Sequence, residues 1–255
     1  MKKIVLDGKV KLNLAKEELE LFFVVPENGL SSLYLEDIKE GSNIHFELNK
    51  HSNLQLSILA DKELKDVKIS VNVAENAAIN VYFADFSTEI NNSITEINLN
   101  ENGAQAMWHL ASLSSKKDRK MISVSVYHNA QNTFARVDNY GVAKDESKLV
   151  FTGTSHIKNG SIKSSTQQNA KIMVFDPKSD AIAKPILKID ENDIEANHSA
   201  AVGKISDEQI FYLTSRGISE EQAKMLITLG YLKPIFKGFD EQEVNKMNDI
   251  IGGRL

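Results

Sequence analysis

The sequence predicts a mainly β chain that ends in a small α-helical appendage, and three observations carry that expectation. Apolar residues alternate with polar ones at a period of two from about residue 30 to residue 203. Clusters of Asn, Asp, Gly, Ser and Lys interrupt the alternation roughly every 10 to 12 residues. From residue 204 the period becomes that of a helix, with capping residues at the start of each segment.

Taken in order, the first 30 residues or so carry the least pattern. Val67, Ile69, Val71 and Val73 then alternate with Lys68, Ser70 and Asn72, and Ile79, Val81 and Phe83 repeat the alternation. Ile122, Val124 and Val126 alternate with serines, and Leu149 and Phe151, Ile172 and Val174, and Ile186 or Leu187 with Ile189 continue it. Successive side chains of a strand point to opposite faces, so each run reads as a strand with one face buried. The intervening clusters, such as AENAA, KDES, KNG and DEND, tolerate left-handed backbone and bond their own main chain. Pro26 and Pro185 fit strand beginnings or edges, where a missing N–H costs nothing. This spacing suits a sandwich, a closed barrel or a β-helix. No fixed internal repeat is visible, so pattern alone puts sandwich or barrel slightly ahead.

The helical segment, residues 204–255, follows a β core over residues 1–203. Ser206 with Gln209, Ser219 with Gln222 and Asp240 with Glu243 mark three starts, because each pair can satisfy amides that a first turn leaves free. Gly217, Gly230 and the pair Gly252 and Gly253 mark the ends. Phe211 and Tyr212 are adjacent and so point about 100° apart on a helix. One can face the core while the other packs elsewhere or stays exposed as a partner surface, or both can pack on the β core.

Composition narrows the function. The chain has 255 residues, 42% apolar and 25% charged, with a net charge of −5. That balance offers no footprint for nucleic acid and no attraction to an anionic membrane. The absence of cysteine excludes disulfides, thiolate nucleophiles and thiolate-ligated metals within this chain. No signal peptide and no membrane-length apolar run is present, so a cytoplasmic protein is expected. The histidines His45, His51, His109, His128, His156 and His198 show no metal-ligand spacing, and there is no phosphate-binding loop. Asp176, Asp180, Asp190, Glu191, Asp193 and Glu195 fall in turn clusters and read as solvated turns.

Residues 196–231, ANHSAAVGKISDEQIFYLTSRGISEEQAKMLITLGY, strongly resemble the C-terminal signature of the SufB/SufD family of iron–sulfur cluster assembly proteins. The resemblance continues less sharply through 138–160, 164–185 and 186–198, and covers about residues 100 to 235. It implies a right-handed parallel β-helix with C-terminal helices, which displaces the sandwich. It also implies a short member without the N-terminal helical region of longer relatives. Ser199 stands where SufB-type chains carry glutamate, Ala170 stands near their cysteine, and DAIAKP resembles the SufD side, so the chain reads as SufD-like. The implied role is a non-catalytic scaffold that pairs through the β-helix with a cysteine-bearing SufB-type paralogue and docks a SufC-type ATPase. The resemblance makes His198 a candidate iron or sulfide ligand at the partner interface. It makes Phe211, Tyr212, Arg216, Gly217 and Leu226 candidate ATPase-docking residues. No cofactor is expected to stay bound to this chain alone, although a transient cluster or iron in the complex is. A homodimer, either in isolation or as a minimal scaffold with the ATPase, is one alternative. A β-helical carbohydrate-active enzyme is another, and it would need strand-borne carboxylates on one face.

Overall fold

A computed structural model describes residues 2–255. In chain order the strands are β1 (Lys2–Val5), β2 (Gly8–Asn13), β3 (Glu20–Val25), β4 (Leu30–Glu36), β5 (Asn43–Leu48), β6 (Asn53–Ala60), β7 (Lys68–Val73), β8 (Ala78–Asp85) and the short β9 (Ile90–Asn91). They continue as β10 (Ile94–Leu99), β11 (Gln105–Ser114), β12 (Arg119–His128), β13 (Phe134–Ala143), β14 (Lys148–Ile157), β15 (Ser164–Val174), β16 (Asp180–Ile189) and β17 (Ile194–Lys204). Two sheets result, ordered β1-β3-β5-β7-β10-β12-β14-β16 and β17-β15-β13-β11-β8-β6-β4-β2. Every pairing is parallel, and each strand lies beside the strand one coil away. The chain is therefore a parallel β-helix, not a sandwich or an antiparallel barrel.

The coils are not of equal length. Lys2 lies beside Leu21, Asn43 beside Lys68 and Lys148 beside Asp180, so one coil consumes 19, then 25, then 32 residues. A drifting period leaves no fixed repeat to detect. One corner, however, is built the same way in coil after coil. Asn28, His51, Asn76, Asn132 and Lys163 have φ of 58°, 59°, 52°, 54° and 58°, with Gly103 at 73° in the same series. The amide of each donates to a carbonyl of the next coil, as from His51 to Glu75 at 2.9 Å and from Asn132 to Ile162 at 3.0 Å. These corners are what the recurring Asn, Asp, Gly and Lys clusters supply, and they account for His51.

The period-two apolar residues stack in columns inside the coils. Phe23, Phe46, Val71, Ile97, Val126, Ser155 and Leu187 stand in register, and the Phe23 and Phe46 rings stack with centroids 5.1 Å apart. Towards the later coils polar groups enter the interior. Lys120, fully buried, bonds to Asp85 Oδ2 and the Leu113 carbonyl, each at 2.9 Å. His128 is buried too, its Nδ1 2.7 Å from Thr133 Oγ1, and Trp108 Nε1 donates to Asn139 Oδ1 at 3.0 Å.

Three helices follow: α1 (Asp207–Thr214), α2 (Glu220–Leu232) and α3 (Glu241–Gly252), with a 3-10 segment Lys233–Gly238 before α3. Ser206 Oγ accepts from the Gln209 amide, and Ser219 and Gln222 bond reciprocally, each at 3.2 Å. Asp240 donates its amide to Glu243 Oε2 at 3.0 Å. Gly217 ends the first helix with φ of 85°. Gly230 does not end the second, which runs through it to Leu232. Glycine in a helix interior costs only about 1 kcal/mol, and the break comes with Pro234, which has no N–H to continue the ladder. Leu232, Ile235, Met247 and Ile251 form a second core with Leu59, Ala84, Phe86, Ala111, Leu113 and Val142, on the outer face of the second sheet. Gly238 presses against Tyr82, and its carbonyl accepts from Gln55 Nε2 at 3.2 Å and from Ser57 Oγ.

Proline placement departs from expectation at Pro26 and meets it at Pro185, which sits in an edge strand. Pro26 follows β3 in the turn to β4, and Pro185 lies within β16 opposite Gly153. Because β16 is the last strand of its sheet, one side of it has no ladder to lose.

Candidate functional site

Among the described residues no coil covers the last one; the first coil ends the helix on the other side, where β1 and β2 are likewise edge strands with no buried residue. Among the described residues β16 pairs only with β14 and β17 only with β15, and no residue of either strand is buried. Two strand edges and the end of the coil interior therefore face outward together.

His198 stands at that end. Register places it in the inward column of Leu33, Leu56, Val81, Trp108, Val137 and Gln168. In each of those coils this position is buried, and here the imidazole is exposed because no coil follows. No hydrogen-bond partner of either ring nitrogen is found among the described residues. Ala196 and Ala200 share its inward face, with Val202 beyond them. Gln168, one coil below, is buried, and its Nε2 donates to Ser155 Oγ at 2.8 Å and to the Ile186 carbonyl at 3.1 Å. Its Oε1 has no partner among the described residues. Ser199 faces outward and donates to Asn169 Oδ1 at 2.7 Å. Ala170 is buried beside Ala200, two places along from His198.

A neutral imidazole is a good ligand for iron, but among the described residues no three His, Cys, Asp or Glu side chains gather as a metal site. This chain brings one imidazole to the opening and no thiolate. The other histidines are placed elsewhere. His45 lies by Ser70, and His156 Nε2 is 2.6 Å from Asp190 Oδ2 on the outer face of the first sheet. The acidic residues serve the turns: Asp176 accepts the Asp145 amide, and Glu191 accepts the amides of Gly160 and Asn192. They form no pair of free carboxylates on a strand face.

The second group lies on the helices. Helix α1 packs on α2 and has no buried residue. Phe211 and Tyr212 are both exposed, at 73% and 55%, so neither packs on the β-helix. Arg216 lies over the Tyr212 ring at 4.5 Å, a cation–π contact that holds the aromatic upright. Leu226 on α2 is 52% exposed. A shallow groove of about 340 Å³ runs between Tyr212, Leu213 and Ile227. The structure thus gathers Phe211, Tyr212, Arg216 and Gly217 on one projecting helix and its end, with Leu226 on its neighbour, and keeps them apart from His198.

Sequence reasoning missed the interior histidine and lysine. Their signal is parity: Lys120 and His128 share the spacing of Ile122, Val124 and Val126, which puts polar groups on the inward face.

The model of the SUF system FeS cluster assembly SufBD core domain matches residues 24–231, which reaches well before residue 100, where the motif resemblance fades. The chain is 32% identical over 124 residues to the iron–sulfur cluster assembly protein SufD of Bacillus subtilis, a span that is 49% of this chain and 28% of that protein. It is 27% identical over 177 residues to the SufB of the same organism, covering 69% of this chain and 38% of that protein. An iron–sulfur cluster assembly SufBD family protein of Staphylococcus saprophyticus is 32% identical over 124 residues, 49% of this chain and 27% of the relative. The matched spans are well under half the length of these relatives.

Proposed function

The chain belongs to the SufBD core domain family of the SUF iron–sulfur cluster assembly system, and from that premise we propose that it is a non-catalytic, SufD-like scaffold subunit. It pairs through its β-helix with a cysteine-bearing SufB-type subunit and holds a SufC-type ATPase on its C-terminal helices, in the cytoplasm. Residues 1–203 form the scaffold and 204–255 the docking unit. The observation that carries this reading is the uncovered last coil, where two free strand edges flank an exposed His198. Free edges pair readily with another strand. The partner then supplies the thiolates that this chain lacks, and His198 completes a transient site at which the nascent cluster is substrate and cargo. The exposed Phe211, Tyr212 and Leu226 supply an apolar docking face, with Arg216 and Gly217 shaping the end of α1.

The test is co-purification from the native cell with mass measurement of the complex. His198→Ala keeps folding and pairing and lowers cluster formation, and an unchanged cluster yield removes His198 from the site. Deleting residues 204–255 would uncover the second core, so a Phe211→Ser, Tyr212→Ser double variant tests docking more cleanly. Stability within about 0.5 kcal/mol of the parent with loss of the ATPase supports docking there, and retained ATPase sinks that assignment.

The same free edges also support a second reading, a minimal scaffold in which two copies of this chain pair and bind two ATPases. The absence of cysteine weighs against it. A purified homodimer that assembles clusters without a second paralogue would favour it.

A further inference from the structure

A groove between the helices and the outer face of the second sheet holds side chains that neither the fold nor the proposed scaffold role uses. It has a volume of about 330 Å³ and lies between β8, β11 and β13 on one side and the 3-10 segment on the other. Its floor is one outward row: Tyr82, His109 and Asp138 stand in register on adjacent strands. The Tyr82 and His109 rings stack with centroids 5.0 Å apart. His109 Nδ1 is 3.4 Å from Asp138 Oδ2, Arg136 Nε donates to the same oxygen at 2.7 Å, and Asn169 Nδ2 donates to Oδ1 at 2.8 Å.

Burial would push the Asp138 carboxyl up, but its bonds with His109, Asn169 and Arg136 bring it down to about 2. It is an ionised anchor with its oxygens already occupied, so it orients its neighbours and is not itself open to a cation. What remains open is basic. Among the described residues His109 Nε2, the terminal guanidinium nitrogens of Arg136 and Nζ of Lys237 have no partner. All three residues line the groove, against the single carboxylate of Asp138. Tyr140 adds an aromatic wall beside them.

The geometry points to a binding site for a small phosphate-class oxyanion, held by Arg136, Lys237 and His109 Nε2. A guanidinium fork, an ammonium and an imidazole approaching from different elements suit a tetrahedral oxyanion with several acceptor oxygens. The tyrosine wall suits a planar group attached to it.

The experiment titrates the full chain at low ionic strength with inorganic phosphate and, separately, with phenyl phosphate. Heat of binding and the ring resonances of His109 are both followed. The expected result is saturable binding that moves the His109 signals, weakened at least about tenfold by Arg136→Gln and by Lys237→Gln. Tighter binding of phenyl phosphate assigns the site to an aromatic phosphate metabolite, and equal binding assigns it to the free ion. Lys237 is exposed and has no partner among the described residues, so its variant reports even where Arg136→Gln disturbs the fold. Absence of saturation up to about 10 mM, or equal binding by both variants and the parent, overturns the proposal.

Discussion

Phe46 and Leu187 occupy the same inward column of the β-helix, yet one is sealed and the other is not. Phe46 is 1% exposed, stacked on Phe23 and capped by Val71 in the next coil. Leu187 has Ser155 below it and no coil above. The closed middle coils are also braced from outside, because the 3-10 segment and α2 pack on β6, β8, β11 and β13. The last coil lacks both cover and brace. In a solenoid, then, burial is a property of the neighbouring coil as much as of the residue. The last coil exposes inward-register side chains that the middle coils bury, which is why His198 lies at a surface.

The contrast breaks most sharply by truncation in one column. Phe46→Ala costs about 3–5 kcal/mol, because it opens a cavity that sealed coils cannot collapse, while Leu187→Ala costs less than about 1 kcal/mol. Urea unfolding midpoints compare the two. A large loss at Leu187 would mean that the last coil is covered in solution.

Acidity probes the closed interior next. Burial, with a smaller effect from His156, lowers His128 to about 4. The native ring stays neutral where the unfolded ring, near 6.5, takes up a proton. Stability therefore falls as pH drops from about 6.5 towards 4, by about 3 kcal/mol in total from this group. His128→Gln removes that part of the slope, and an unchanged pH profile of the unfolding midpoint would contradict it.

The outer brace gives the smallest of these effects in closed coils. A Cβ on Gly238 would enter the Tyr82 ring, so Gly238→Ala loosens the 3-10 segment at a cost of about 1–3 kcal/mol. Proteolysis of the C-terminal helices should accelerate while the coils stay protected. Equal protection of both would show that the segment repacks.

Much of the fold is legible in the amino-acid order. Val67 to Val73 and Ile122 to Val126 alternate strictly because one face of each strand is buried, and Ser206 and Ser219 announce helices through chemistry confined to three or four residues. The break in alternation at SILA (57–60) is legible in principle: Leu59 is buried on the outer face because Met247 and Ile251 cover it from nearly 190 residues away in the chain. The choice between sandwich and β-helix is not legible from pattern, since pairing 19 to 32 residues apart leaves no constant period. Gly230 misleads because tertiary packing overrides a modest local cost. The basic groove is invisible because His109, Arg136 and Lys237 come from three separate stretches.

By itself the sequence determined what short-range physics governs: which face of each strand is apolar, where corners need left-handed backbone, where helices start, and that no thiolate can come from this chain. Tertiary structure alone decided which coil lies on which, that His128 is sealed while His198 is open, and that Arg136 and His109 converge on Asp138. The reason is common to all three. Side-chain direction follows from two or three neighbouring residues, but burial and pairing depend on a coil that the chain completes only 19 to 32 residues later.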